Sequence, residues 1–418
     1  MMIQSYINNI FEKNISKTFN ILLFVYLISY LAGPAVINIY VTIISLFCLY
    51  FLVKNSKQIP ILIRNYSSLM LIIFLFYILI KDFFFHQLNI EIISFLRFII
   101  IFLAITIISH IQKFEKIKLN FIFLFYLTGF LFFDTLFQYL FGYNLIGFEK
   151  YQHDRLTSFF DDEPIIGSFL MKLSLPLIFF LLIEKSKLYI NLLFIASSIF
   201  IVIISGERMP FLQLIFGLLL IFLFFYQINL KKIFILIFLS ILSLLLLLNL
   251  PNVKDRYIST FDGLNSLYAD IRNNNEITLK ISKNGIYDYY FNFQSGLELW
   301  KKNTLFGNGY RHYKNSCFEE LSSKYRDGCS THPHNIYIEI LSDHGIVGLF
   351  IFILFLSSII FSYLKHSIDK IHLGFLITLF VISLPFVTSQ SIFSSFYGSI
   401  YFLYFFIIQI FTKFRYRY

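Results

Sequence analysis

Thr331-His332-Pro333-His334-Asn335 runs straight into Ile336 to Gly348, which closes on Gly345-Ile-Val-Gly348. Within five residues a long polar segment gives way to a hydrophobic helix, and junctions of this kind, repeated along the chain, decide the fold. Proline suits the first turn of a helix, because the amide it lacks would be unpaired there in any case. The spacing therefore predicts His334 and Asn335 at a helix N-terminus, where free amides and the positive end of the helix dipole attract anions and disfavour an imidazolium. A histidine held neutral beside an anion can serve as a base.

Outward from that stretch, the 418 residues are 58% hydrophobic and only 14% charged, with a mean hydropathy of +0.74. Such a balance excludes a soluble globular protein and predicts an all-α integral membrane protein. Apolar runs long enough to cross a core of about 30 Å begin near Phe19, Pro34, Ser67, Ile92, Leu119, Pro164, Leu188, Pro210, Ile233, Asn335, Ile371 and Ile392, so about 12 transmembrane helices are expected. They divide the chain into residues 1–250 with helices 1–9, a large outer loop over 251–334, and residues 335–418 with helices 10–12. Lysine and arginine alternate sides without exception. Lys13, Lys17, Lys54, Lys57, Lys113, Lys185, Lys231, Lys365, Lys413 and Arg415 fall on one side, against little beyond Lys81 and Arg208 in the short opposite loops. Both termini are expected in the cytoplasm. That pattern accounts for the net charge of +10 without a nucleic-acid partner. The first apolar run follows Lys13 and Lys17 with no small-residue cleavage site and is expected to stay as an anchor.

Two outer segments are long, Gly142 to Glu163 and Pro251 to His334. The larger carries the polar cluster Arg272-Asn-Asn-Asn-Glu276, the single Trp300, and two of the three cysteines. Ile286 to Lys302 reads as an amphipathic helix, with Tyr289, Tyr290, Phe293, Leu297 and Trp300 at helical spacing, and is expected to lie on the membrane surface or cap the bundle. Cys317 and Cys329 would face an oxidising compartment and are candidates for a disulfide, the alternative being two unpaired thiols. Three charges fall inside predicted helices, where they are costly. Asp134 and Lys172 sit at matching depth on consecutive helices, each about 12 Å below the outer surface, and predict an ion pair. Arg97 either snorkels to the surface or meets a phosphate.

Three inward-running helices each begin with a proline near a cation or an imidazole: Arg155 and Pro164, Arg208 and Pro210, Pro333 and His334. Free amides and guanidiniums together suit phosphate oxygens, and at a membrane surface the matching ligand is a lipid-linked phosphate or diphosphate. The plainer alternatives are a headgroup-level anchor for Arg208, a solvated loop charge for Arg155 and a capping role for His332 and His334. His332, His334 and His344 lack zinc-like spacing, and Asp161-Asp162-Glu163 suits capping of the helix at Pro164. No metal and no cofactor are expected.

His334-Asn335, nine residues, then Gly345-x-x-Gly348 resembles the histidine motif of bacterial O-antigen ligases and O-antigen polymerases. Arg208-x-x-x-Leu212 is similar to their second motif, and Asp134 to Leu170, with Leu156-Thr-Ser-Phe-Phe-Asp-Asp-Glu163, resembles their preceding helix pair. Leu305-Phe-Gly-Asn-Gly309 looks like the usual approach to the histidine. Leu349 stands where many ligases have a small residue. The resemblance implies a metal-independent glycosyltransferase of GT-C-like fold in the bacterial inner membrane. Such an enzyme takes a glycan from an undecaprenyl diphosphate donor, among membrane lipid, to a sugar hydroxyl of lipid A-core, to another glycan repeat unit or to a protein side chain. It further implies His334 as general base and Arg208 as its catalytic partner, with Arg208 and Arg155 on the diphosphate. His332, Asn335, Arg311 and Arg97 are candidates for substrate contacts. A flippase for the same lipid-linked glycan is the rival of a different class, set back by the lack of internal repeats and of a midplane site.

Overall fold

The computed structural model describes residues 2–85, 90–111, 119–151, 154–225, 251–273, 285–325, 329–366 and 370–412, with the isolated residues 241, 245 and 249. In chain order the helices are α1 (Met2–Leu31), α2 (Pro34–Lys54), the short α3 (Pro60–Arg64), α4 (Tyr66–Phe85), α5 (Ile92–Ile111) and α6 (Phe121–Phe141). Then come α7 (Ile166–Ile183), α8 (Leu188–Ile204), α9 (Arg208–Phe225), α10 (Pro251–Arg272), α11 (Gly285–Lys302) and α12 (His312–Tyr325). The last three are α13 (Ile336–His366), α14 (Leu373–Ile382) and α15 (Tyr397–Ile410). Among the described residues the only β pairing is two isolated bridges, Tyr143 with Glu149 and Tyr151 with Arg155.

Six of these helices, α2, α4, α5, α6, α7 and α13, are long and apolar enough to cross a membrane. Shorter apolar stretches come from α1, α8, α9, α14 and α15. The helix expected from Ile233 lies outside the described residues apart from isolated positions. The expected amphipathic helix is found as α11, one residue longer than read from the spacing.

Helix ends follow local chemistry. Asn120 caps α6 by accepting from the Ile122 amide at 3.1 Å, and Gly142, at φ 89°, closes its other end with its amide on the Gln138 carbonyl. Almost all of α7 is buried, with α6, α8, α9 and α14 packed around it. Without water to drive helices together, contact between side chains must hold them, and here aromatic rings do much of it. Tyr30 lies stacked between Phe169 and Phe396, at 5.2 and 4.5 Å, and Phe98 stacks on Phe402 at 4.7 Å.

Several charged groups differ from expectation. Asp134 makes no ion pair with Lys172: it accepts from the Leu145 amide at 2.9 Å and from the Ser158 hydroxyl, fastening the loop after α6. A chain that must fold 142–163 back over a helix end has more use for a carboxylate on loop donors than on a neighbouring helix. Lys81, expected in a short loop, is buried in α4, where it pairs with Asp82 at 3.2 Å and donates to the Asp343 carbonyl at 2.6 Å. Arg97 is half-buried, and its contacts lie within the helix bundle. Its guanidinium donates to the Thr42 hydroxyl at 2.5 Å and to Asn38, tying α5 to α2.

The C-terminal helices also depart from the sequence reading. Runs expected from Ile371 and Ile392 are found as short α14 and α15, separated by an irregular segment over 383–396. That segment packs on the histidine stretch, and the contacts it makes there explain why it is not helical.

Candidate active site

The histidine stretch is built differently from the expected helix start. His334 has φ 52°, outside the helix, and α13 begins at Ile336. Asn335 is the cap: its side-chain oxygen accepts from the Tyr337 and Ile338 amides at 3.0 and 3.2 Å, while its NH2 donates to the Pro385 carbonyl at 2.8 Å. The Ile336 amide donates to the Ser389 hydroxyl at 2.8 Å, and the Ser389 amide donates to the His334 carbonyl at 2.8 Å. Asn335, expected at the substrate, is thus spent on the helix start, and the amides expected to hold an anion are already filled.

Nine residues on, α13 breaks at Gly345, with φ 66° and ψ −170°. The loop Leu305 to Gly309 docks in the break. Ile346 and Val347 donate to the Thr304 and Leu305 carbonyls, and Asn308 and Gly309 donate to the Ser342 and Asp343 carbonyls, all at 3.0–3.2 Å. A Cβ on Gly345 would lie 2.3 Å from the Leu305 oxygen, and one on Gly307 would lie 2.4 Å from the Gly345 nitrogen. The two glycine motifs that stood apart in the sequence are therefore one backbone contact.

His334 is half-buried. Its ring stands edge-on to Tyr289 of α11, centroids 5.3 Å apart, and 4.3 Å from the His332 ring. Burial holds the His334 imidazole down to about 4, and holds buried His332 well below its ordinary value, helped by His334 and Arg311. Both are neutral at pH 7. His332 Nδ1 lies 3.1 Å from the Thr331 hydroxyl, and its Nε2 is buried with no hydrogen-bond partner. Arg311 is buried and paired with Glu91 at 3.3 Å, leaving His332 within its field.

Tyr289 also acts electrostatically on Arg208, half-buried at the start of α9, as do Arg155 and Tyr257. Arg208 donates to the Arg256 carbonyl at 3.3 Å and to the Thr260 hydroxyl. The structure adds Arg256 of α10, missed in the sequence. It shares its field with Arg155 and Arg208, and burial followed by those two cations brings its guanidinium down to about 10. One of its terminal nitrogens is buried with no hydrogen-bond partner. Gly206, at φ 77°, makes the room, since a Cβ there would sit 2.6 Å from that nitrogen. The signal available in the sequence was faint: an arginine five residues after Pro251 at a loop entrance, among other charged residues.

Glu207, between Gly206 and Arg208, is the acid in this cluster. Its carboxylate accepts from the Gly167 and Ser168 amides at 2.6 and 3.2 Å, so it, not Asp161-Asp162-Glu163, caps α7. Burial pushes it up to about 7 against the pull of Arg155, the two amides and Lys172. Arg155 itself donates to the Pro164 carbonyl at 2.9 Å, and its Nε is buried with no hydrogen-bond partner. Cys317 and Cys329 are joined in a disulfide, Cα atoms 5.6 Å apart, in a small core with Leu299 and Tyr313 that holds α11 to α12. Among the described residues no three His, Cys, Asp or Glu side chains gather as a metal site would require.

Arginines 155, 208 and 256, Tyr289 and His334 thus converge from separate stretches of the chain. Residues 192–353 match the O-antigen ligase family model. That span runs from α8 through the break in α13, so it contains Arg208, Arg256, Tyr289 and His334 but not Arg155. The match supports the O-antigen ligase and polymerase family for this chain, and with it a multi-pass bacterial membrane protein of lipopolysaccharide biosynthesis. No curated protein matches the chain.

Proposed function

We propose that this chain is a GT-C-type glycosyltransferase that moves a glycan from undecaprenyl diphosphate to a sugar hydroxyl of lipid A-core, at the periplasmic face of the inner membrane. The observation that carries the reading is the gathering of Arg155, Arg208 and Arg256, with the carboxylate Glu207 beside Arg155 and Arg256 and with Tyr289 acting on Arg208 and meeting the His334 ring. Three guanidiniums against one carboxylate leave an excess of positive charge, which suits a diphosphate.

In the transfer, the acceptor oxygen forms a bond to the anomeric carbon as the bond from that carbon to the diphosphate oxygen breaks, and the electron pair leaves with the diphosphate. The arginines stabilise the charge that grows there; being fixed beforehand, they need no reorganisation when it appears. The acceptor hydroxyl loses its proton to neutral His334. No metal is needed for either task in this scheme. The Cys317–Cys329 disulfide agrees with an oxidising compartment on that face.

Purified protein in lipid, given an undecaprenyl-diphosphate-linked glycan and an acceptor, tests the reading. His334→Ala should abolish most turnover while leaving donor binding intact, whereas wild-type turnover by that variant would remove the base assignment. Polymerase activity uses the same donor and motif, so a deletion strain decides between the two. Core without polymer and accumulated long lipid-linked chains mean ligase; core plus one repeat means polymerase. Loss of transfer with normal flipping in that strain separates the enzyme from a transporter, whose deletion would abolish flipping as well.

A further inference from the structure

Helix α10 presents three distinct faces. Its packed face carries Arg256, Thr260, Gly263 and Leu267. Arg208 of α9 fastens it near the start through the Arg256 carbonyl and the Thr260 hydroxyl, Tyr257 meets the Phe211 ring at 6.3 Å, and Asp270 accepts from the Tyr287 hydroxyl of α11 at 2.7 Å near the end. The rest of its perimeter is exposed and splits in two. Asp255, Asp262 and Ser266 form a polar arc. Ile258, Phe261, Leu264, Tyr268 and Ile271, each between 43% and 67% exposed, form a largely apolar arc, with Asn265 at its edge and the exposed cations Lys254 and Arg272 at its two ends. At 3.6 residues per turn these sets fall on separate sides of the helix.

A helix bounded only by protein and water needs two faces, one apolar and one polar. A third, broad and aromatic, needs a third environment. The position of α10 says which. It is fastened to the first turn of α9, an apolar helix whose own Leu212, in that turn, is 58% exposed, and in sequence it follows directly on the apolar run Ile233 to Leu250. It therefore sits where the hydrophobic belt of the protein ends. We propose that α10 is an interfacial helix, with its apolar arc among the acyl chains next to the headgroups, its polar arc in water, and its packed face holding Arg256 and Thr260 against Arg208. This is the arrangement expected of an amphipathic helix lying in the membrane plane. If the transfer reading above holds, the leaflet itself sets the height of the arginine cluster, at the level where a lipid-linked phosphate lies. The placement of α10 does not depend on that reading.

The test uses full-length protein in lipid nanodiscs on a Cys48→Ala background, with the disulfide kept. Nitroxide labels are attached one at a time at Phe261→Cys, Leu264→Cys and Tyr268→Cys on the apolar arc, and at Asp262→Cys and Ser266→Cys on the polar arc. Collision with dissolved oxygen, which concentrates in lipid, is compared with collision with a water-soluble nickel chelate. Labels on the apolar arc should favour oxygen severalfold, and those on the polar arc the nickel complex. If nickel reaches both arcs equally, the helix stands in water and the proposal fails. If neither agent reaches the apolar arc, a protein surface covers it, from this chain or a second copy, and the proposal fails as well. Three labels on one arc allow for a variant that does not fold. Because the readout involves no glycan, it can fail while the transfer reading stands, and the reverse.

Discussion

Gly345→Ala should destabilise the protein far more than Gly129→Ala, although both add one methyl group. At Gly345 the backbone has φ 66° and ψ −170°, a region in which a residue with a Cβ is strained by about 1–3 kcal/mol. The new Cβ would also stand 2.3 Å from the Leu305 oxygen and 2.6 Å from the Gly307 nitrogen. Both are backbone atoms held by the hydrogen bonds of the docked loop, so they cannot yield as a flexible side chain would, and overpacking adds about 1–3 kcal/mol. Gly129 lies within α6 with nothing within 4 Å of its missing Cβ, and alanine there should stabilise by up to about 1 kcal/mol. The assay is the apparent unfolding midpoint of the two variants in the same lipid at one scan rate, since unfolding of such chains is commonly irreversible. Gly345→Ala should fall several degrees below Gly129→Ala and lose activity in step with folded protein. A Gly345→Ala protein with an unchanged midpoint but no turnover would refute this, and would move the glycine from backbone geometry to the chemistry.

His334 lies low, at about 4, and a base acts only when unprotonated, so kcat/KM should stay flat on the acid side until the pH nears that value and then fall. A bound diphosphate favours the imidazolium, so the acid limb of kcat should lie higher than that of kcat/KM; coincident limbs near 6.5 would contradict the burial argument. Arg256→Ala should weaken donor binding about tenfold or more, the worth of a charge-assisted hydrogen bond, and Arg256→Lys should restore part of it; titration with the lipid-linked donor measures both. Reducing Cys317–Cys329, or changing both to serine, should cost about 3 kcal/mol in the loop domain, read as faster proteolysis between α11 and α13 with the membrane helices still protected.

What the sequence could show was whatever depends on local pattern. Membrane class, the boundaries of most apolar helices, and α11 follow from composition and period, because lipid leaves a chain few other ways to satisfy its backbone. The histidine and arginine motifs were legible as residues, and so was the pairing of Cys317 with Cys329 as a candidate. Contacts between distant segments were not. Nothing near Asp134 in sequence marks Ser158 as its partner rather than Lys172, and nothing near Arg97 marks Thr42. The irregular segment over 383–396 did leave a trace in Pro385 and in Thr388-Ser-Gln-Ser391, polar residues that interrupt an apolar run. Ser389 turns out to cap α13, and Ser391 donates to buried Glu339.

The most instructive departure concerns where an anion could bind. Proline-led helix starts were expected to offer free amides, yet two of the three are filled from within: Glu207 takes the amides of α7, and Asn335 and Ser389 take those of α13. A ligand that relied on those amides would have to displace a carboxylate already held by two hydrogen bonds. The guanidiniums are in a different position. Arg155 and Arg256 each keep a buried nitrogen without a hydrogen-bond partner, and such a donor is costly unless something accepts from it. A phosphate that reached either guanidinium would relieve that cost there without disturbing the amides that start α7 and α13. Glu207 holds the start of α7 closed through the Gly167 and Ser168 amides and acts on Arg155 and Arg256, so under the proposed transfer it would stand beside a bound diphosphate as a partner of the guanidiniums rather than as a competitor for the amides.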